Sequence, residues 1–369
     1  MSAPAIKQQQ QIPLPGNPAT SAAAGLGVSR ISLGLMGMTW TDPSQFTPDD
    51  QAFAVIRRSI HEGGVTLLDA GQFYGPQSDP HANLKLVKRY FDKYPDDKDK
   101  VLLCVKGGFD LFSPGGYAEK GFAGMNPLTD LDKLRESVKL IRQELGSDAG
   151  GKDIDLWEPA RYPKNVDVGE MTRKHIALRD EGLFRGLALS EVGGKTIREA
   201  WEASKGGVAA IEIEYSAFCL EAEEQGVLAA CEEFKIPILA YSPVGKGFLT
   251  GTITSRSEIP EGDLRLRMDQ YAEENFQHNV DVADKLKSIA TEKGVTASQL
   301  ALAWILARSP IMTAIPGTRQ PDRAIENAAA AEVKLTQEDL KEIADVLEKN
   351  KPKGGRAFEH ARQHMNLWA

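Results

Sequence analysis

The 369-residue chain is 41% hydrophobic and 26% charged, enough to bury a large core and to fill one big domain or two modest ones. Its net charge of −8 and pI near 5.5, with no basic stripe interleaved with aromatics, argue against a nucleic-acid partner. Three cysteines without Cys-x-x-Cys spacing indicate neither a disulfide framework nor a zinc site, and no apolar run has the length of a membrane span or the order of a signal peptide, so a soluble cytoplasmic protein is expected.

Residues 1–27 carry Gln8-Gln9-Gln10-Gln11, several prolines and an Ala-rich run, which predicts a mobile tail or a loosely packed lid over the bottom of the domain. Strand-like runs follow at 31–35, 66–68, 101–105, 154–157, 186–189, 209–213, 236–240 and 312–315. Helix-period segments separate them near 51–62, 82–92, 130–145, 166–180, 195–204, 221–234, 297–307 and 321–330, with further helical pattern at 278–292 and 336–348. Eight strands in strict alternation with helices predict an α/β fold, a (β/α)8 TIM barrel over 28–350, followed by a C-terminal tail at 351–369. A doubly wound sheet would alternate similarly, but Gly34-Leu35-Met36-Gly37 precedes no helix it could open onto a phosphate. The long connections at 107–128 and 244–277 are expected to wall a pocket at the carboxyl-end face.

That face is where the unusual residues gather. Strand one leads into Trp40, strand two into Asp69 and Tyr74, strand three into Lys106, and strand four into Glu158-Pro159-Ala160-Arg161. Strand five ends on Ser190-Glu191, strand six carries Glu212, strand seven gives Tyr241-Ser242, and strand eight gives Gly317-Thr318-Arg319. Taken singly, an Asp at a strand end caps a turn, a Tyr packs and a Lys is solvated. Brought together, a carboxylate, an ammonium and a phenol make an acid catalyst for carbonyl reduction, because the lysine can lower the tyrosine's pKa. Six histidines show no metal spacing, and no metal is expected.

Several motifs in one order resemble the aldo-keto reductases over residues 30–348. Asp69-Ala70-Gly71-Gln72-Phe73-Tyr74-Gly75 matches the family's Asp-x-Ala-x-x-Tyr-Gly spacing, with Ala-Gly where Thr-Ala is usual. Lys106 closes the third strand, and Gly245-Lys246-Gly247-Phe248-Leu249-Thr250-Gly251 is similar to the glycine-rich segment after the seventh. Ile315-Pro316-Gly317-Thr318-Arg319, followed by Arg323, Glu326 and Asn327, resembles the NADP-binding end. Gly34 to Trp40, Glu212 and Ile259-Pro260-Glu261-Gly262-Asp263 look most like the fungal pyridoxal reductases.

The resemblance implies an NADP(H)-dependent reductase of aldehydes, with pyridoxal as the expected small-molecule substrate. Tyr74 would be the proton donor, Lys106 and Asp69 its support, and Tyr241 the ring stacked on the nicotinamide. Ser190, Glu212 and Ser242 would hold the nicotinamide end. Gly317, Thr318, Arg319, Arg323, Glu326 and Asn327 would hold the adenosine phosphate, with Glu326 gripping either adenine or Arg323. Trp40, Phe109, Trp157 and Arg161 are candidates for the substrate pocket, and Arg265 and Arg267 for the diphosphate or an anionic substrate. Two departures stand out: Ala160 replaces a hydrogen-bonding histidine, and Glu212 replaces a glutamine, which leaves single-sided holding of the carboxamide. An NADPH-sensing subunit of the potassium-channel beta type is a competing reading. A retaining glycosidase built on Glu158 and Glu212 is another.

Overall fold

The computed structural model describes residues 8–15, 26–261, 263–356 and 367–369. Two short strands, β1 (Gln11–Ile12) and β2 (Val28–Ser29), pair antiparallel ahead of the main sheet. The main sheet follows chain order: β3 (Leu33–Gly34), β4 (Leu67–Gly71), β5 (Leu102–Gly107), β6 (Leu156–Pro159), β7 (Gly186–Ser190), β8 (Val208–Glu214), β9 (Ile238–Tyr241) and β10 (Met312–Ala314), each parallel to the next. Parallel bridges Ile31 to Ala314 and Gly34 to Gly317 join the first of these strands to the last and close the cylinder. This is the expected (β/α)8 barrel.

Burial on both faces explains why the strands read as unbroken apolar runs: every residue of β4, β5, β7 and β8 is buried. Leu67, Leu102, Leu156, Ala188, Ala210 and Leu239 fill the barrel interior. Leu68, Leu103, Trp157, Leu189 and Ile211 face the helices instead. The helices carry ordinary stop and start signals. Asp130 caps 131–145 by accepting from the backbone of Asp132 and Lys133, and Gly146 ends it in the left-handed region. The segment expected as one helix over 221–234 is two, Glu221–Glu224 and Val227–Phe234, because Gly226 sits at φ +68 between them.

The tail expectation needs correction at residues 8–15. Gln9 donates from Nε2 to the Gly63 carbonyl at 2.6 Å and accepts from the Ile31 amide at 2.8 Å, and Ile12 is buried. A polar run unable to build a core of its own is here pinned by long-range pairing, a contribution that composition does not register. Residues 1–7 and 16–25 lie outside the described residues. Past the last helix, Gln337–Lys349, the chain also stays bound: the Asn279 side chain donates to the Lys353 carbonyl and accepts from its amide, at 2.9 and 2.8 Å. Among the described residues, no helix is long and apolar enough to cross a membrane.

Candidate active site

Alternation along the strands builds the centre. On β4, Leu68 and Ala70 face the helices while Asp69 turns inward; on β5, Leu103 and Val105 face out while Cys104 and Lys106 turn in; on β6, Trp157 faces out and Glu158 in; on β8, Ile211 and Ile213 face out and Glu212 in. The result is one ammonium among three carboxyl groups. Lys106 Nζ donates to Asp69 Oδ1 at 2.6 Å and to Glu212 Oε2 at 2.5 Å, with Glu158 Oε1 at 3.6 Å. Cys104 Sγ donates to the other Glu158 oxygen at 3.3 Å, and Glu158 Oε1 has no hydrogen-bond partner among the described residues. Ligand atoms of Asp69, Cys104, Glu158 and Glu212 all lie within 4.8 Å of one another, and the cation lodged among the carboxylates is Lys106 itself.

Like charges this close in a desolvated space cannot all ionise freely. Burial pushes the Asp69 carboxyl up to about 6 against the pull of Lys106, and burial together with Asp69 and Glu158 lifts Glu212 well above the usual carboxylate range. Burial opposes the Lys106 charge, yet the three carboxylates hold its pKa well above the ordinary value. Tyr74 follows the same logic. Burial drives its phenol well above 10; Lys106 pulls it down, and Asp69, Glu212 and Glu158 push it up. The expected lowering of Tyr74 by Lys106 is therefore present as one contribution and reversed in the sum.

Tyr74 stands over this cluster, with Lys106 Nζ 5.9 Å from its ring centroid. A Cβ on Gly71 would lie 2.7 Å from that ring, so the glycine standing where the family pattern has alanine lets the phenol settle against the strand. Trp40 stacks on Tyr74 at 5.3 Å, Phe73 meets both rings edge-on, and Phe109 meets Phe73 at 5.1 Å. Trp40 Nε1 donates to Tyr117 Oη at 3.0 Å, which in turn donates to the Gly75 carbonyl. Ala160 belongs to the same aromatic cluster.

Trp40 and Phe109 share one aromatic cluster with Tyr74, whereas Trp157 lies apart from it. Its indole is fully buried between β6 and the helix Val168–Asp180, donating to His175 Nδ1 at 3.2 Å. It is the neighbour of the inward-facing Glu158, so the pleat turns it away from the pocket. Arg161 donates to the Ala160 carbonyl and lies close enough to Glu191 and Tyr241 to shift both. Ser190 Oγ is buried without a partner among the described residues at the end of β7, beside Glu212 in register. Tyr241 and Ser242 are partly buried at the end of β9, and Ser242 adopts φ +50.

Beyond β10, Gly317 and Arg319 are exposed and Thr318 half-buried. Arg323 is exposed on the first turn of the helix Pro321–Ala329, whose amino end has no side-chain cap. An uncapped helix amino end flanked by two arginines suits an anionic phosphate, and the unpartnered Ser190 hydroxyl suits a polar ring substituent; these residues fit a dinucleotide phosphate. Asn327 is half-buried on the same helix, and Glu326 accepts from Thr296 Oγ1 at 2.7 Å. Arg265 is held by Asp263 through two bonds at 2.7 and 3.0 Å, while Arg267 closes the turn Leu264–Arg267.

One member of this face carries no signal in the sequence. Arg356, in the segment expected as a tail, is buried against Glu191 in a bidentate pair, with Glu214 at 3.7 Å and the Trp368 ring at 4.8 Å. Trp368 N donates to the Glu191 carbonyl at 2.8 Å. Only the fold brings residue 356 to the end of β7.

Residues 30–348 match the sequence profile of the aldo/keto reductase family. The chain is 33% identical to a probable pyridoxal reductase 2 of Schizosaccharomyces pombe over 93% of this chain and 98% of that one. It is 32% identical to an aldo-keto reductase from the same yeast, yakc, whose name specifies NADP(+), over 89% and 91% of the two chains. A glycerol dehydrogenase structure from Gluconobacter oxydans superposes with a TM-score of 0.76 at 21% identity, over 94% of this chain and 97% of that one, a likeness of fold.

Proposed function

The chain belongs to the aldo/keto reductase family, and from that premise we propose that it reduces an aldehyde to an alcohol with NADPH, pyridoxal being the favoured substrate. The observation that carries the proposal is Tyr74, a buried phenol held protonated above Lys106 and walled by Trp40, Phe73 and Phe109. When bound, a nicotinamide coenzyme would provide the hydride for the carbonyl carbon. Tyr74 Oη gives its proton to the developing alkoxide, and Lys106 stabilises the tyrosinate left behind until solvent reprotonates it. Asp69 and Glu212 fix the ammonium in place. Ser190, Tyr241 and Ser242 orient the nicotinamide end, and Arg319 and Arg323, with Thr318 and Asn327, bind the 2′-phosphate. The glycosidase alternative has no support here, because Glu158 and Glu212 are sealed around Lys106 with exposures of 0% and 1% and leave no room for a sugar.

The test is NADPH oxidation against pyridoxal, pyridoxal phosphate, aromatic aldehydes and short aliphatic aldehydes, with pyridoxal expected to give the highest kcat/KM. Tight NADPH binding without turnover of any of them would favour the sensor reading. NADPH is expected to bind far more tightly than NADH, and Arg323→Ala to narrow the gap by about 10- to 100-fold, the worth of one hydrogen bond to a charged group. Equal binding of the two coenzymes by the unmutated protein rejects the role of these arginines.

Ala160 supplies a further expectation. Ala160 is fully buried in the aromatic cluster, so an imidazole there would add bulk beside the rings that wall Tyr74. Ala160→His is expected to lower kcat/KM for pyridoxal more than for a small aldehyde, as a clash confined to the larger substrate. Kinetics on the two aldehydes decide this, and undiminished activity on pyridoxal removes Ala160 as a determinant of specificity.

A further inference from the structure

Asn83 is fully buried on the first turn of the helix Ala82–Lys93, and the proposed chemistry gives it no task. A primary amide taken out of water is costly unless both of its ends find partners. Here Oδ1 accepts from the Gly71 amide at 3.2 Å, while Nδ2 donates to the Leu35 carbonyl at 3.1 Å and to Thr39 Oγ1 at 2.9 Å. Thr39, buried as well, donates to the Tyr74 carbonyl at 2.6 Å. Leu35 is tied in turn to the strand of the catalytic carboxylate, its amide donating to the Asp69 carbonyl at 2.9 Å.

The chemistry of the partners fixes the direction of each bond. A backbone amide only donates and a carbonyl only accepts, so Gly71 and Leu35 decide which way the Asn83 amide faces. Thr39 must then accept from Asn83 and give its own proton to Tyr74. The bridge spans the turn that carries the proton donor, from the amide of Gly71, the last residue of β4, to the carbonyl of Tyr74. The direct bond across that turn, from the Tyr74 amide to the Gly71 carbonyl, is long at 3.3 Å. Trp40, next to Thr39, stacks on the ring of the same tyrosine, so the chain leaving β3 holds Tyr74 by its backbone through one residue and by its ring through the next.

Resting on the reductase reading, we propose that Asn83 and Thr39 are positioning residues: their one-directional bridge from the end of β4 to the Tyr74 carbonyl holds the phenol where it can deliver its proton above Lys106. Neither touches the reacting atoms. Their effect is on placement, and a misplacement of about 1 Å in a catalytic group can cost about 100-fold in rate.

The experiment compares Thr39→Val, which keeps the shape and removes the donor, with Thr39→Ser, which keeps the donor. Asn83→Asp keeps the acceptor for Gly71 and, ionised, cannot donate to Thr39. Thr39→Val and Asn83→Asp are expected to lower the single-turnover rate of aldehyde reduction by about 10- to 100-fold with NADPH affinity within about twofold of wild type, and Thr39→Ser to restore the rate to within about threefold. Coupling separates positioning from packing. With the phenol already removed in Tyr74→Phe, adding Thr39→Val should lower the residual rate by less than about twofold. A substrate-free readout accompanies the kinetics: in protein carrying 3-fluorotyrosine, the fluorine resonance of residue 74, identified by its absence from Tyr74→Phe, is expected to shift or broaden in Thr39→Val and to return in Thr39→Ser. A folded Thr39→Val enzyme with the wild-type rate, or an equal loss in both backgrounds, overturns the proposal. If Asn83→Asp does not fold, the Thr39 pair still decides it. Failure of every aldehyde to react with the unmutated protein would instead defeat the reductase reading, and the bridge would then be judged on the fluorine resonance, an unchanged signal in Thr39→Val overturning it.

Discussion

Tyr74→Phe is expected to lower kcat for NADPH-dependent aldehyde reduction by about 10²- to 10⁴-fold, the usual contribution of a positioned general acid. NADPH affinity should hardly move. The ring that stacks on Trp40 and meets Phe73 edge-on is retained in Phe, so the walls of the pocket survive the loss of the hydroxyl. Single-turnover kinetics isolate the chemical step from product release. Wild-type rates in a chemistry-limited regime would reject Tyr74 as the donor and turn attention to Arg161 or a bound water.

Lys106→Met is expected to cost both activity and stability. Removing the ammonium leaves Asp69, Glu158 and Glu212 buried with no cation among them, and breaking a buried ion pair from one side typically costs about 3–5 kcal/mol. The deficit has a defined pH dependence. Without Lys106 the Asp69 and Glu212 carboxyls, already raised by burial, titrate further above their unfolded values, so the variant is penalised most above that range and recovers as falling pH lets them bind protons. Denaturant unfolding at pH 7 and pH 5 should show the gap to wild type shrinking at the lower pH. A gap independent of pH would mean that packing, and not uncompensated charge, explains the loss.

Much of this architecture is legible in the residue pattern. The eight barrel strands lie close to their apolar runs, because a strand covered on both faces has to be apolar along its length. Asp69 and Lys106 stand out because they end such runs, and Tyr74 because it follows Asp69 at a fixed spacing. Three things escaped the pattern. The side of the sheet on which a residue at a strand end falls depends on register, and so Trp157 reads as a pocket residue although the pleat turns it to His175. The sign of such a shift depends on burial as well as on every charge nearby; a Lys and a Tyr alone imply a lowered phenol, whereas burial inside the closed barrel reverses it, with Asp69, Glu212 and Glu158 adding to the rise. Residues 8–15 and Arg356 read as tails because the contacts that pin them, Gln9 to Ile31 and Arg356 to Glu191, join distant parts of the chain.

The bridges from Ile31 to Ala314 and from Gly34 to Gly317 have a consequence for the order in which the parts of the molecule come together. Among the described residues, every other backbone pairing between barrel strands joins consecutive strands, while this seam joins the two ends of the sheet across most of the chain and carries the largest loop-closure entropy. Asp69, Lys106, Glu158 and Glu212 all come from β4 through β8, within the run of neighbouring pairings. Thr318, Arg319 and Arg323 lie just beyond the seam. A cylinder with its seam open would already carry the strands of the Lys106 cluster but not the phosphate grip proposed for Thr318, Arg319 and Arg323. A coenzyme that binds only the closed form draws the equilibrium toward closure by mass action, and so acts as the latch of the barrel it serves.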